Sequence, residues 1–309
     1  MRPARPAGGL AKPDPRRSLG KAYLLRLRLV LGIFKLRIGV LIMISALAGL
    51  AITPGPVIGF VQGLVLALSV LVASASAGAF NQYIEADTDR LMARTRRRAF
   101  ASGALSTSPL WLGVIGLLLA AAVGATGFFV NPVAALFIFL GAFCYGVVYT
   151  LWLKRRTWVN IVIGGLSGSF AVLAGAAAVE PTLGALPLLL ALVLFLWTPP
   201  HFWSLAIAYQ AEYAAAGVPM LPVVVGVPRA ARIVHANAVA LVAVSLLPVL
   251  FGAGPVVLVG AVLGGAYFLR KTRALARAPS RATAMASFFA SMVQLSALLA
   301  AVAVDAALR

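Results

Sequence analysis

The sequence predicts an all-α, polytopic membrane protein with nine transmembrane helices. Two observations lead to this fold class: the composition and the recurrence of long apolar runs. Of the 309 residues, 62% are apolar and only 11% are charged, and the mean hydropathy is +1.01. A soluble globular domain carries about 25% charged residues, so the composition excludes that class. We expect the apolar runs to cross a bilayer as helices and to form one domain.

Short polar or Gly/Pro-rich breaks separate each apolar run from the next. A transmembrane helix needs about 20 apolar residues. Breaks such as TPGP at 53–56 and VNP at 130–132 leave no room for a domain on one side of the membrane. The longer loops are therefore expected on the other side. The nine predicted spans are 33–53, 57–80, 109–128, 131–152, 158–179, 185–208, 233–252, 255–269 and 283–307.

Basic residues predict the direction of these spans, because cytoplasmic loops collect Lys and Arg. With the N-terminus inside, 25 of the 26 Lys and Arg fall on inner segments, and only Arg309 does not. The net charge of +19 is therefore a topology signal. We expect no nucleic-acid partner, because that function needs a soluble basic surface with groove-reading elements. The inner basic segments are 1–37, 90–98, 154–156, 229–232 and 270–281.

The first 32 residues are predicted to be a basic, disordered cytoplasmic tail, followed by one domain over residues 33–309. Proline at positions 3, 6, 13 and 15 would break the amphipathic helix of an organelle transit peptide. We therefore expect a multi-pass protein of a bacterial inner membrane. Its helices would lie in the lipid bilayer, and its active-site loops would face the cytoplasm.

The polar stretch FNQYIEADTDRLMARTRRR, residues 80–98, ends the second predicted span and holds three of the seven acids of the chain. Asn81, Glu85 and Asp89 follow an i, i+4, i+8 spacing, which places them on one helix face. Such oxygen ligands suit Mg²⁺, which proteins hold with one or two carboxylates together with substrate phosphates. Asp87 lies about 200° from Glu85 around the helix, so we expect it outside this row. Acids at a membrane boundary are costly, which favours a functional site over a solvated surface.

Arginines follow these acids directly, and a second polar segment lies at residues 195–226. Because Arg binds phosphate through paired hydrogen bonds, acids and arginines together favour a diphosphate site. In the second segment, His201 and Glu212 are eleven residues apart, about three turns of a continuous helix. Glu212 is the better site candidate, because a histidine near aromatic residues is often a hydrogen-bonded packing residue.

Three segments together resemble one enzyme family. They are NQYIEADTDRLMARTRRR (81–98), YTLWLKRRTWVNIVIGG (149–165) and WTPPHFWSLAIAYQAEYAAAGVPMLPVVVG (197–226). They are similar to the protoheme IX farnesyltransferases, the heme O synthase branch of the UbiA-type intramembrane prenyltransferases. The Asn-x-x-x-acid-x-x-x-Asp pattern is typical of the wider superfamily. LKRRTWVNIVIGG, and PPHFW followed by AGVPMLPVV, look like the heme-directed branch.

The resemblance implies a bundle of nine helices around a central cavity, capped on the inner side by the loops that carry the acidic motifs. It implies Mg²⁺-dependent transfer of a farnesyl group from farnesyl diphosphate to the 2-vinyl group of protoheme IX. The products would be heme O and diphosphate, with protoheme IX a substrate rather than a cofactor. A downstream heme-modifying enzyme is an expected partner.

The resemblance also implies roles for ten residues. The residues expected to be catalytic and to hold Mg²⁺ through the diphosphate are Asn81, Glu85, Asp89 and Glu212. The basic residues expected to bind the diphosphate are Arg94, Arg98, Lys154 and Arg155. The residues expected to orient substrate or contact the porphyrin are Tyr149 and His201. The chain departs from the family pattern at FKLRIG (34–39), where Leu36 follows Lys35 in place of the usual Lys-Pro-Arg.

Two alternative functions remain open from the sequence. A UbiA-type enzyme acting on another acceptor, such as an aromatic acid, would have the same diphosphate site. Only the segments at 154–165 and 197–226 speak against it. A secondary transporter would place acids near the bilayer midplane, in symmetry-related broken helices. The acids here lie beside arginines at the inner ends of two predicted spans, which favours the enzyme.

Overall fold

The structure is a computed structural model that describes residues 27–308. Every regular element in this range is a helix, which confirms the all-α prediction. The first 26 residues of the predicted basic tail lie outside the described residues. Residues 27–32, which we assigned to that tail, instead belong to a helix that ends at Ile33, because Leu and Val flank a single arginine, Arg28, in this segment.

The helices are short at the breaks and long between them. In chain order they are α1 (Leu27–Ile33), α2 (Leu36–Ile52), α3 (Phe60–Ile84), α4 (Ala86–Arg90), α5 (Leu110–Phe129), α6 (Pro132–Phe143), a π-helix (Cys144–Leu153), α7 (Asn160–Gly164), α8 (Leu166–Val179), α9 (Ala185–Ala208), α10 (Gln210–Ala215), α11 (Leu221–Val225), α12 (Val227–Leu246), a 3₁₀-helix (Leu247–Phe251), α13 (Pro255–Arg277) and α14 (Arg281–Ala307).

Seven helical segments within residues 27–308 are long and apolar enough to cross a membrane, when α6 with the π-helix, α7 with α8, and α12 with the 3₁₀-helix each count as one segment. The pair α1 and α2, bent by 44° at their junction, brings the number to eight. The eighth predicted span, 255–269, corresponds to α13, which is not among them. Its apolar part ends at Leu269, and the helix continues through four basic residues to Arg277. The structure therefore supports a polytopic bundle, and nine spans remain a prediction.

Two long helices, α6 and α14, begin after a capping residue that the sequence supplies. The Asn131 side chain accepts a hydrogen bond from the Ala134 N–H at 2.8 Å, and Pro132 begins α6. Ser280 caps α14 in the same way, with its hydroxyl 3.1 Å from the Thr283 nitrogen. Such caps satisfy backbone N–H groups that the first helical turn leaves unpaired.

Consecutive long helices pack against each other, and α14 returns to α2, so the bundle closes. Helices α2 and α8 approach each other closely. A Cβ on Gly175 would collide with the carbonyl of Ala46, and one on Gly49 with the carbonyl of Val172. Small residues allow this contact, as is common between membrane helices. The C-terminal ends of α3, the π-helix and α9 lie together on one side of the bundle, where the polar segments meet.

Candidate active site

The acid row lies where α3 passes into α4. Asn81, Glu85 and Asp89 are only 3%, 2% and 4% exposed. Glu85 separates α3 from α4, with φ −93° and ψ 8°. Despite this interruption, all three residues of the row line the same cavity. Asp87, in contrast, has a 90% exposed side chain and pairs with Arg90 at 3.2 Å. The structure thus separates the buried row from Asp87, as the helical spacing predicts.

Each member of the row is hydrogen-bonded to a cation. Lys35 Nζ donates to Asn81 Oδ1 at 2.6 Å. Lys154 forms an ion pair with Glu85. Arg98 donates to both Asp89 oxygens, at 3.0 and 2.8 Å. Buried charges need such partners, because desolvation without compensation costs several kcal/mol per ion, on the order of what a whole domain gains by folding.

Hydrogen bonds within the row and to the π-helix fix its geometry. Asn81 Nδ2 donates to Glu85 Oε2 at 2.8 Å and to Thr150 Oγ1 at 3.2 Å. Thr150 in turn donates to the Tyr145 carbonyl at 2.8 Å. A π-helix is rare and often occurs at functional sites. Here it brings Thr150, and Lys154 just beyond its end, against the acid row.

Lys35 is a site residue that the sequence analysis missed. It occupies the junction of α1 and α2 with φ 47° and ψ 42°, and it is the one residue other than glycine with a positive φ between residues 27 and 308. A left-handed conformation costs a non-glycine residue about 1 kcal/mol or more. The hydrogen bond to Asn81 holds it in place. The only sequence signal was its position in FKLRIG, a segment of the family pattern.

A cavity of about 410 Å³ opens onto the acid row. Seven predicted site residues line it: Asn81, Glu85, Asp89, Arg94, Arg98, Tyr149 and Lys154. Further lining cations that sequence reasoning did not assign are Arg28, Lys35 and Arg97. Six cations therefore face two carboxylates, so the cavity is positively charged and suits a ligand with more than one negative charge.

Aromatic rings form one wall of this cavity. The rings of Tyr145 and Tyr149 lie 5.5 Å apart, and Lys154 Nζ is 5.8 Å from the centre of the Tyr149 ring. Arg94, also in the cavity lining, donates to the Tyr213 hydroxyl at 3.4 Å. Aromatic faces attract cations. The cavity thus combines groups for an anion with groups for a positively charged carbon centre.

Glu212 does not line the cavity. The spacing of His201 and Glu212 would put them on one face only if a single helix continued through both, and it does not, because α9 ends at Ala208 and α10 begins at Gln210. Its neighbour Tyr213 points into the cavity instead. The Glu212 Oε2 atom is buried without a hydrogen-bond partner. Residues 27–308 hold no cluster of three or more Asp, Glu, His or Cys side chains that could bind a metal, so the four proposed ligands are not assembled together.

His201 and Arg155 also lie outside the cavity lining. The His201 ring is stacked between Trp197 and Phe288, at centroid distances of 4.2 and 4.4 Å, and its Nδ1 is 2.7 Å from Ser291 Oγ. It is thus a packed, hydrogen-bonded residue between α9 and α14. Arg155 donates to the hydroxyl of Thr88, which lines the cavity beside the acid row, but Arg155 itself is not a lining residue.

The donor set fits Mg²⁺ when a diphosphate supplies further oxygens. Two carboxylates and an amide oxygen share one face and open onto the same cavity, and Mg²⁺ prefers oxygen ligands and keeps some of its sites for phosphates. The row alone holds too few groups for a complete protein site. The surrounding cations would meet the remaining charge of such a diphosphate.

Comparison with known proteins supports this interpretation. The UbiA prenyltransferase family model matches residues 42–294. Protoheme IX farnesyltransferase 2 of Paramagnetospirillum magneticum is 58% identical over 90% of this chain and 97% of its own length. Protoheme IX farnesyltransferase 1 of the same organism is 47% identical over 88% and 96%. A UbiA homolog of Archaeoglobus fulgidus bound to DMAPP and Mg²⁺ is 15% identical, with a TM-score of 0.66 over 87% of this chain and 98% of that chain.

These matches define a class of protein: the chain belongs to the UbiA prenyltransferase family. It is an enzyme of the prenyltransferase class, and within the family it groups with the protoheme IX farnesyltransferases. The resemblance seen in the three sequence segments is thereby confirmed. The solved structure supports the fold alone, because its sequence identity is low.

Proposed function

We propose that this protein transfers the farnesyl group of farnesyl diphosphate to the 2-vinyl group of protoheme IX, with Mg²⁺, and releases heme O and diphosphate. The observation that carries the proposal is the positively charged cavity in which a buried row of Asn81, Glu85 and Asp89 faces lysine and arginine. The named relatives at 58% and 47% identity support the heme acceptor.

The first step breaks the bond between farnesyl C1 and a diphosphate oxygen, and both electrons leave with the diphosphate. Lys35, Lys154 and Arg98 stabilise this charge when they exchange the acid row for diphosphate oxygens. Arg94 adds a further donor from the same cavity. Mg²⁺, held by Asn81, Glu85 and Asp89 together with the diphosphate, would neutralise part of the leaving-group charge as a Lewis acid.

The second step joins the two substrates. The π electrons of the 2-vinyl group attack farnesyl C1 and form the new carbon–carbon bond. A water oxygen then adds to the positive carbon that remains, and its proton passes to solvent, which leaves a hydroxyethylfarnesyl group. The rings of Tyr145 and Tyr149 beside Lys154 would stabilise the allylic cation by cation–π interaction, and Tyr149 would orient the farnesyl chain.

Three residues outside the cavity lining keep a proposed role. Glu212, on the short helix next to Tyr213, would reach the Mg²⁺–diphosphate complex if α10 moves toward the cavity, and its unpaired buried Oε2 supports this. Arg155, which donates a hydrogen bond to Thr88, would contact the diphosphate after the same movement of α10. His201 would position the part of α9 that contacts the porphyrin, through its own contacts with Trp197 and Phe288.

The proposed topology has nine spans, a cytoplasmic N-terminus and the cavity on the cytoplasmic side of a bacterial inner membrane. The concentration of Lys and Arg at the ends of the helices that border the cavity supports this direction. Heme O would leave toward the membrane, where a heme-modifying enzyme would take it up.

The test is a reaction in proteoliposomes with farnesyl diphosphate, protoheme IX and Mg²⁺, with and without EDTA, followed by mass spectrometry of the heme. We expect heme O only when the metal is present. A parallel reaction offers an aromatic acid in place of heme. Farnesylation of that acid without heme O would leave the diphosphate site standing and refute the heme acceptor. No product with either acceptor, from protein that remains folded, would refute prenyl transfer at this cavity.

A further inference from the structure

A second basic region lies in a groove of about 610 Å³ between α12 and α13. It shares no lining residue with the cavity at the acid row. The residues that line the groove are His235, Val239, Leu269, Arg270, Arg273, Ala274 and Arg277. Prenyl transfer as proposed above uses none of them.

Three arginines of α13 converge on the groove. Arg270, Arg273 and Arg277 follow an i, i+3, i+7 spacing, which places them along one helix face. All three are exposed. None of them pairs with a described acid, because the ion pairs found among residues 27–308 lie at the acid row and at Asp87. The groove therefore presents uncompensated positive charge.

Apart from His235, whose Nδ1 lies 2.9 Å from Thr272 Oγ1, the rest of the groove is apolar, and the groove lies at the end of the apolar part of α13. Val239 is 48% exposed and lies beside Leu269 along the groove, toward the apolar half of α13. Tyr267, one turn before the arginines, lies 5.6 Å from both Arg270 and Lys271. Tyrosine with flanking cations is typical of the headgroup level of a bilayer. The groove is thus cationic at the headgroup level and apolar toward the bilayer.

We propose that this groove binds an anionic phospholipid, with its phosphodiester on Arg270, Arg273 and Arg277 and an acyl chain along Val239 and Leu269. Guanidinium groups bind phosphate oxygens in pairs, and basic pockets between membrane helices bind anionic headgroups. Charge complementarity favours this occupant over a second copy of the chain, whose matching groove would be repelled. The orientation of the helices in the membrane requires only basic residues on the cytoplasmic side. It does not require three guanidinium groups in one groove.

The test measures lipid bound to the purified protein by native mass spectrometry. The probes are phosphatidylglycerol, zwitterionic phosphatidylcholine and inorganic phosphate. The variant is R270Q/R273Q/R277Q, and the matched control is R37Q/R96Q/R229Q, which removes the same charge from exposed arginines that line neither the groove nor the cavity. We expect phosphatidylglycerol to bind about 100-fold more weakly to the groove variant, and the control to behave as the wild type.

A second variant, R270K/R273K/R277K, keeps every positive charge and therefore the membrane topology. Because lysine lacks the paired donors of arginine, we expect binding of phosphatidylglycerol several-fold weaker than in the wild type. Equal binding by the wild type and the glutamine variant would overturn the proposal. Equal affinity for inorganic phosphate and phosphatidylglycerol would refute a lipid ligand. A dimer that the glutamine variant disrupts would refute it in favour of a second copy.

Discussion

Two basic regions of this molecule differ in the partners of their cations. In the cavity, Lys154 and Arg98 face Glu85 and Asp89, and all four side chains are largely buried. In the α12–α13 groove, the arginines are exposed and pair with no described acid. A site that mixes acids with cations suits a ligand that carries both signs, such as Mg²⁺ with diphosphate. A site with cations alone suits a simple anion.

The two basic regions also differ in how much a lost partner costs. A buried pair that loses one partner leaves an uncompensated charge, so single changes in the cavity are expected to have large effects. Exposed cations are already hydrated, so changes in the groove should affect only ligand binding.

Asp89→Asn should lower turnover by about 10³-fold. The amide offers one acceptor where the carboxylate accepts two hydrogen bonds from Arg98, and it brings no negative charge to Mg²⁺. Turnover is measured as heme O formed in proteoliposomes. Asp87→Asn is the matched control, because the Asp87 side chain is 90% exposed and pairs only with Arg90 on the surface. Equal losses in the two variants would remove the distinction between the buried row and its exposed neighbour.

Glu85→Gln should destabilise the protein by about 3 kcal/mol, because it leaves Lys154 charged and without an acid. The side chains of Glu85 and Lys154 are only 3% and 16% exposed, so water compensates little of this cost. The free energy of unfolding is measured by denaturant titration in mixed micelles.

A double variant that combines Glu85→Gln with Lys154→Met tests the ion pair itself. The double variant should regain most of the lost stability while remaining inactive, since the buried charge is gone but the site is not restored. If the double variant loses as much free energy of unfolding as Glu85→Gln and Lys154→Met lose together, the ion pair does not stabilise the protein.

Lys35→Met should raise the KM for farnesyl diphosphate about tenfold, since a hydrogen bond to a charged group is worth about 1.5–3 kcal/mol. Lys35→Gly should raise KM equally but leave the protein about 1 kcal/mol more stable than the Met variant, because glycine accepts φ 47° without strain. Arg37→Met, at an exposed position nearby, is the control and should keep KM unchanged. A KM that Lys35→Met leaves unaltered would exclude Lys35 from substrate binding.

Lys35 also illustrates what the sequence could and could not predict about the site. The acid row follows from the sequence because its spacing is local to one helix. Lys35 lies 46 residues from Asn81 along the chain, and only the packing of α1, α2 and α3 brings them together. Tyr213 lines the cavity and Glu212 does not, because the helix is interrupted at Tyr209 with φ −124° and the spacing from His201 no longer fixes which side chain faces the site.

For the fold, long apolar segments were predicted to within a few residues, since their length is set by the bilayer. The predicted span 185–208 coincides with α9 (Ala185–Ala208). Helix ends outside the apolar segments were not predicted. Helix α12 begins at Val227 rather than 233, because Pro228 favours a helix start. Helix α13 continues to Arg277, because Arg, Lys and Leu are good helix formers beyond the membrane.

Salt should distinguish the two basic regions by a smaller effect. Raising NaCl from ~0.1 M to ~1 M shortens the Debye length from about 10 Å to about 3 Å. The exposed arginines of the groove should then bind phosphatidylglycerol several-fold more weakly, as native mass spectrometry would measure. The KM for farnesyl diphosphate should change by less than about twofold, because buried pairs are screened much less than exposed charges. A KM that rises as steeply as the lipid affinity falls would mean that the cavity, too, meets its ligand as an exposed surface.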